Sequence, residues 1–147
     1  MIARAVLALA LLAYAGQVMA QEARTPAEAV DNFHKALTRN DTAAALSMLT
    51  RELVVFEFGL IDPSLAQYAF KHLPLDMDAA AATTWTVDTR RAGGLGDQFW
   101  VLTTYRVTGY DKLGTPIDNT TLETVILQRT GGVFRIVHFH WSSVPKV

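Results

Sequence analysis

Val-His-Phe-His-Trp-Ser-Ser, residues 137–143, closes the last of three strand-like runs in the C-terminal third of the chain, at 100–110, 120–129 and 133–142. The runs are rich in β-branched and aromatic residues, which suit a pleated, half-buried surface. Only Asp-Lys-Leu-Gly-Thr-Pro (111–116) and Thr-Gly-Gly (130–132) separate them. Connections that short cannot carry a crossover, so neighbouring strands must run antiparallel as a meander. Upstream, the long strand extends back to Gln98, Ala-Gly-Gly-Leu-Gly-Asp (92–97) is a further turn, and the threonine- and tryptophan-rich 83–90 adds another strand.

The N-terminal half has a different period. Thr25, Pro26 and Glu28 form a capping box with proline at the first helical position, so a helix opens there. Val30, Phe33, His34 and Leu37 follow at i, i+3, i+4 and i+7, one amphipathic face. Asn40 and Asp41 interrupt it, and Asp41 is placed to cap a second helix over 43–49. Residues 53–58 read as a short strand bounded by Gly59, after which Asp62 and Pro63 cap a third helix carrying Leu65, Tyr68, Ala69 and His72 on one face. Pro74 stops that helix, because proline disfavours helical geometry in the residue before it, and a loop leads on to the sheet. Helices first and sheet second make the fold class α+β.

Residues 1–20 are expected to be a cleaved export signal. Arg4 supplies the positive start, 5–15 is almost wholly apolar, and Val18-Met19-Ala20 offers a signal-peptidase site. The apolar run is shorter than the roughly 20 residues that span a bilayer, so no membrane attachment is expected after cleavage. Localisation is therefore read as periplasmic or secreted, with residues 21–147 forming one domain. The chain has no cysteine, which excludes a disulfide scaffold. Removing Arg4 leaves 12 basic against 14 acidic residues, a formal charge of −2, with no basic stripe, so nucleic acid is excluded as a partner. Half the residues are hydrophobic and 18% charged, which points to a lined cavity or a buried subunit interface.

Tyr105-Arg106-Val107-Thr108-Gly109-Tyr110-Asp111, then Gly114-Thr115-Pro116, Leu122-Glu123-Thr124 and Val137-His138-Phe139-His140 resemble, in that order, the association domain of calcium/calmodulin-dependent protein kinase II. The wider nuclear transport factor 2-like superfamily, with its SnoaL-like domains, shares the fold. Phe56-Glu57-Phe58-Gly59 with Tyr68 and the segment 72–77 is similar to exported SnoaL-like proteins. The resemblance implies a strongly curved sheet wrapped around the N-terminal helix as a cone, with a pocket at its open end. In the kinase domain the arginine matching Arg106 lines a pocket for small carboxylates; a second arginine of that family is replaced here by Val125.

The candidate ligand-binding set is Trp100, Arg106, Glu123, His138 and His140. Along the strand from Gln98, Trp100, Leu102, Thr104, Arg106 and Thr108 share one face, and Arg106 is its only charge. If that face is interior, the guanidinium needs an anion, and Glu123 on the next strand is the internal candidate, the alternative being an ion pair with no ligand. His138 and His140, two apart, leave the sheet on the same face, the spacing of a chelating pair, but no third ligand is tied to them, so no metal is expected. Glu57 is either a carboxylate in an apolar wall or a solvent-facing edge residue; Tyr68 and His72 are packing residues with polar tips. Trp85, Trp100 and Trp141 line a cavity, fill the core or cover a dimer face. A phosphate loop, nucleophile elbow and catalytic serine order are all missing, so no cofactor is called for. These readings add up to an exported homodimeric domain binding a small carboxylate or aromatic molecule. The alternatives are an isomerase, dehydratase or cyclase moving a proton next to a carbonyl, and an assembly module.

Overall fold

The computed structural model describes residues 22–146; the export signal expected over 1–20 lies outside them. Four helices and six strands follow in the order α1 (Pro26–Thr38), α2 (Thr42–Ser47), β1 (Leu49–Glu57), β2 (Leu60–Asp62), α3 (Leu65–Lys71), α4 (Leu73–Ala82), β3 (Thr83–Leu95), β4 (Gln98–Tyr110), β5 (Pro116–Thr130) and β6 (Val133–Pro145). The strands form one sheet in the order β2-β1-β6-β5-β4-β3. From β3 to β6 it is the expected antiparallel meander, but β1 joins β6 in parallel. Pairing shifts in β1, in β3 and at the β5–β6 pair bend the sheet, as bulges do.

Helix α1 lies in the hollow of this curved sheet. Thr25 caps it by accepting from the Glu28 amide, while the Glu28 carboxylate accepts from the amide of Arg24, one residue before the cap. Its apolar face, Ala29, Val30, Phe33, Ala36 and Leu37, is buried with Val101, Val125, Leu127, Ile136 and Phe139 of the sheet in one core. Asp41 caps α2 through the Ala44 amide.

Three local expectations are corrected. Pro74 does end α3, yet it also sits in the first turn of a further helix, α4, where its missing N–H costs nothing, so 73–82 is helix and not loop. The cap of α3 is Ser64, not Asp62. Between β1 and Ser64 lies a strand the sequence did not signal, β2, which pairs with β1 through a two-residue turn. Phe58 (φ 49°) and Gly59 (φ 76°) both take left-handed backbone there, as a type I′ hairpin requires.

Candidate functional site

One lateral row of the sheet carries the site. Residues Glu57, Trp141, Glu123, Thr103 and Arg90 are successive register partners across β1, β6, β5, β4 and β3. Glu57, Trp141, Glu123 and Thr103 are all buried. His34 of α1 comes down onto the middle of this row. Its Nε2 lies 2.6 Å from Glu123 Oε2, which also accepts from Trp141 Nε1 at 2.6 Å, while Tyr105 Oη donates to Glu123 Oε1 at 3.1 Å. Arg90 completes the network. It donates to Tyr105 Oη at 3.0 Å, Thr103 Oγ1 at 3.1 Å and Asp31 Oδ1 at 2.7 Å.

The electrostatics follow from those donors. Burial pushes the Glu123 carboxyl up, but the His34 charge and the hydrogen bonds from His34, Trp141 and Tyr105 outweigh it and hold the group below its ordinary value. Burial and then the Glu123 charge push the Tyr105 phenol well up, against Arg90, so Tyr105 stays a proton donor. Nε2 of His34 is engaged by Glu123; its Nδ1 has no hydrogen-bond partner among the described residues.

A cleft of about 400 Å³ between α1 and the β3–β4 hairpin opens onto this cluster, with His34, Trp85 and Tyr105 in its wall and Asp31, Lys35 and Arg39 along its helical side. The Trp85 ring stands 5.1 Å from His34, 5.2 Å from Tyr105 and 5.7 Å from Trp141, and its Nε1 is tied to Thr83 Oγ1 at 3.0 Å. A larger groove of about 890 Å³ between α1, α2 and the start of β6 does not include His34, Trp85 or Tyr105.

A second polar cluster sits under α3 and α4. Tyr68 Oη donates to Asp76 Oδ2 at 2.8 Å, and His72 Nδ1 pairs with Asp62. Glu57, Asp62 and Asp76 are all buried, three carboxyls beside one imidazole. Burial, then the Glu57 charge, push Asp76 up to about 8, while burial raises Glu57 against the His72 charge and the hydrogen bond from Asp76. Glu57 Oε2 is buried with no hydrogen-bond partner among the described residues. Among the described residues no group of three or more His, Cys, Asp or Glu side chains could hold a metal ion.

Of the five residues expected to share one pocket, Glu123 alone reaches this interior. Odd-numbered residues of β4 (Val101, Thr103, Tyr105, Val107) face inward, so Trp100 and Arg106 stand on the outer face. Arg106 is 54% exposed and makes a two-pronged pair with Asp118, at 3.0 and 2.8 Å, not with Glu123. Trp100 covers Gly93 on β3, where a Cβ would come within 2.4 Å of the indole. His138 and His140 do share a face, but it is the outer one. Phe134 and Ile136 point inward; the pairing then skips Val137, and the one-residue slip sends Phe139 and Trp141 inward and the histidines out. There His138 Nδ1 donates to the Val54 carbonyl at 2.8 Å and Phe56 packs edge-on against both imidazoles. Sequence reading placed His34 on the apolar face of α1 without a role. The signal was there, as a lone titratable residue among Val30, Phe33 and Leu37, but its partner lies 89 positions away.

A family model described as a SnoaL-like domain matches residues 27–146. Among solved structures, a provisional ketosteroid isomerase from Shewanella frigidimarina is 30% identical, the match covering 78% of this chain and 91% of that one with a TM-score of 0.73. The CaMKII hub of S. rosetta is 22% identical over 80% of this chain and 93% of its own, TM-score 0.67. A provisional dehydratase of the NTF2-like family from Streptomyces avermitilis is 15% identical over 80% and 93%, TM-score 0.69. Proteins with a cystatin-like fold from Caulobacter vibrioides and Nostoc punctiforme share the architecture, with TM-scores of 0.66 and 0.67. No curated protein matches the chain in sequence.

Proposed function

This chain belongs to the SnoaL-like domain family, and we propose that it is an exported small-molecule-binding protein whose ligand enters the cleft between α1 and β3–β4. The observation that carries this reading is the His34–Glu123 pair, held from inside by Tyr105 and Trp141 and walled by Trp85, at a cleft whose lining includes His34, Trp85 and Tyr105. A cavity of this size, with the rings of His34, Trp85 and Tyr105 set among threonines and charged side chains, suits a molecule of one or two rings bearing a hydrogen-bonding oxygen.

A second reading, proton transfer beside a carbonyl, is favoured by the same pair. In its neutral form, with the Nε2 proton donated to Glu123, His34 carries its lone pair on Nδ1 and could act as a base: it would take the proton next to the carbonyl, becoming the imidazolium that Glu123 stabilises, and the electron pair would move onto the carbonyl oxygen. The provisional isomerase at 30% identity supports it. Against it, the Tyr105 proton is committed to Glu123, so the row supplies no spare donor for an enolate oxygen. Binding is therefore the leading reading.

Both are tested with 1-indanone, an aromatic ketone with exchangeable protons next to its carbonyl. Saturation-transfer NMR should show it bound, and the signal should vanish in Trp85→Ala; no transfer to the folded wild type would overturn the binding reading. Deuterium uptake from heavy water, lost in His34→Asn, would make the protein an enzyme; binding without uptake would leave it a binder.

The outer sheet face exposes Phe56, Leu102, Leu122 and Val144, and a second copy covering it makes the working form a homodimer. Sizing that returned a monomer or a large ring would overturn this. Export predicts that protein recovered outside the cytoplasm begins at Gln21.

A further inference from the structure

The charges along the cleft do not balance. Two acids of the site are taken: buried Glu123 holds His34, and Asp31 in the cleft wall gives its carboxylate to Arg90. Asp31 stands one helical turn before Lys35, where it would ordinarily neutralise that ammonium. Asp31 pairs instead with Arg90, and Lys35 has no ion-pair partner among the described residues, nor has Arg39 one turn later. The helical rim of the cleft therefore carries two cations without an ion-pair partner among the described residues, Lys35 and Arg39, which it shares with the larger groove and its Glu22, Glu28 and Asp41. The opposite wall carries Trp85 beside Thr83, Thr84 and Val87: Trp85 ends the cluster of His34, Tyr105 and Trp141 and is fixed by Thr83.

Resting on the cleft reading above, we infer that the ligand is a ring-bearing organic anion that lays its ring on Trp85 and presents its negative group to Lys35 and Arg39. Five residues of helix separate His34 from Arg39, about 7 Å along the axis, roughly the length of one fused ring system. The ring and the anionic group can thus engage both ends of the cleft at once. The outer-face Arg106 plays no part, being already paired with Asp118 on the other side of the sheet.

The test uses full-length protein with 1-naphthoate and its neutral counterpart 1-naphthalenemethanol, titrated by isothermal calorimetry near pH 7 in about 50 mM salt. Naphthoate should bind about tenfold more tightly than the alcohol, as two rim ion pairs allow. The advantage should disappear in the double variant Lys35→Met/Arg39→Met, whose two positions are exposed and leave the core untouched. Equal affinities, or a naphthoate preference that survives in the double variant, would overturn the inference. If both compounds bind equally and Trp85→Ala abolishes both, the cleft still binds ligands and only the anionic class falls. If neither binds, or binding ignores Trp85→Ala, the cleft reading falls with it.

Discussion

Glu123 and Asp76 are both carboxyls buried beneath helices against one sheet, and they are held in opposite states. Glu123 meets three donors, from His34, Tyr105 and Trp141, and stays ionised. Asp76 meets one, the Tyr68 hydroxyl, and shares its space with Glu57 and Asp62, so it keeps its proton. Burial alone raises both. The number of donors against the number of carboxyls decides which charge survives. The two clusters are neighbours, since Trp141 is the register partner of Glu57 on one side and Glu123 on the other, which sets them about 10 Å apart across two strand spacings.

The largest effect should come from breaking the ionised cluster. Glu123→Leu leaves an imidazole, a phenol and an indole without their acceptor in the interior, and urea unfolding should show a loss of about 3–5 kcal/mol. A loss under about 1 kcal/mol would mean that the donors are satisfied elsewhere and that the contrast with Asp76 is false.

The protonated cluster responds to pH with the opposite sign. The native state holds a proton on Asp76 up to about 8, whereas the unfolded chain releases it near 3.8, so Asp76 weakens the fold progressively as pH rises from about 4 to about 8. Glu57, also raised, acts in the same direction. Glu123, lowered, contributes stability that is present above its unfolded value of 4.5 and lost as pH falls below it. Stability should therefore peak on the mildly acidic side of neutral. Asp76→Asn mimics the protonated carboxyl: the variant should match the wild type near pH 4 and exceed it by at least about 1.4 kcal/mol, the worth of one pKa unit, near pH 9. An Asn variant less stable than the wild type at alkaline pH would show that the cluster is ionised and otherwise compensated.

Smaller still, Tyr105→Phe removes one of three donors to Glu123 and should cost about 1–2 kcal/mol by the same urea measurement. No change would mean that Trp141 and His34 suffice. The smallest effect belongs to the outer face. Arg106→Ala breaks an exposed pair and should leave both the unfolding midpoint and ligand binding in the cleft unchanged; loss of binding would return Arg106 to the site.

The parts of this molecule that depend on neighbours in the chain were legible in the sequence: the capped starts of α1 and α2, the turns of the meander, the α+β order and the likeness to SnoaL-like and kinase association domains. Local chemistry misled where one signal had two meanings. Pro74 stops one helix and begins the next, and Phe58-Gly59 makes a hairpin without the usual asparagine. Which face of a strand looks inward is not local at all. In β4 it follows from packing under α1, and in β6 a skipped residue at Val137 reverses the parity, sending His138 and His140 outward and Trp141 to Glu123. The meeting of His34 with Glu123 and the gathering of three carboxyls beneath α3 and α4 likewise belong to the tertiary structure. A side chain's charge state is set by the donors that surround it, and those arrive from strands and helices far apart in the chain.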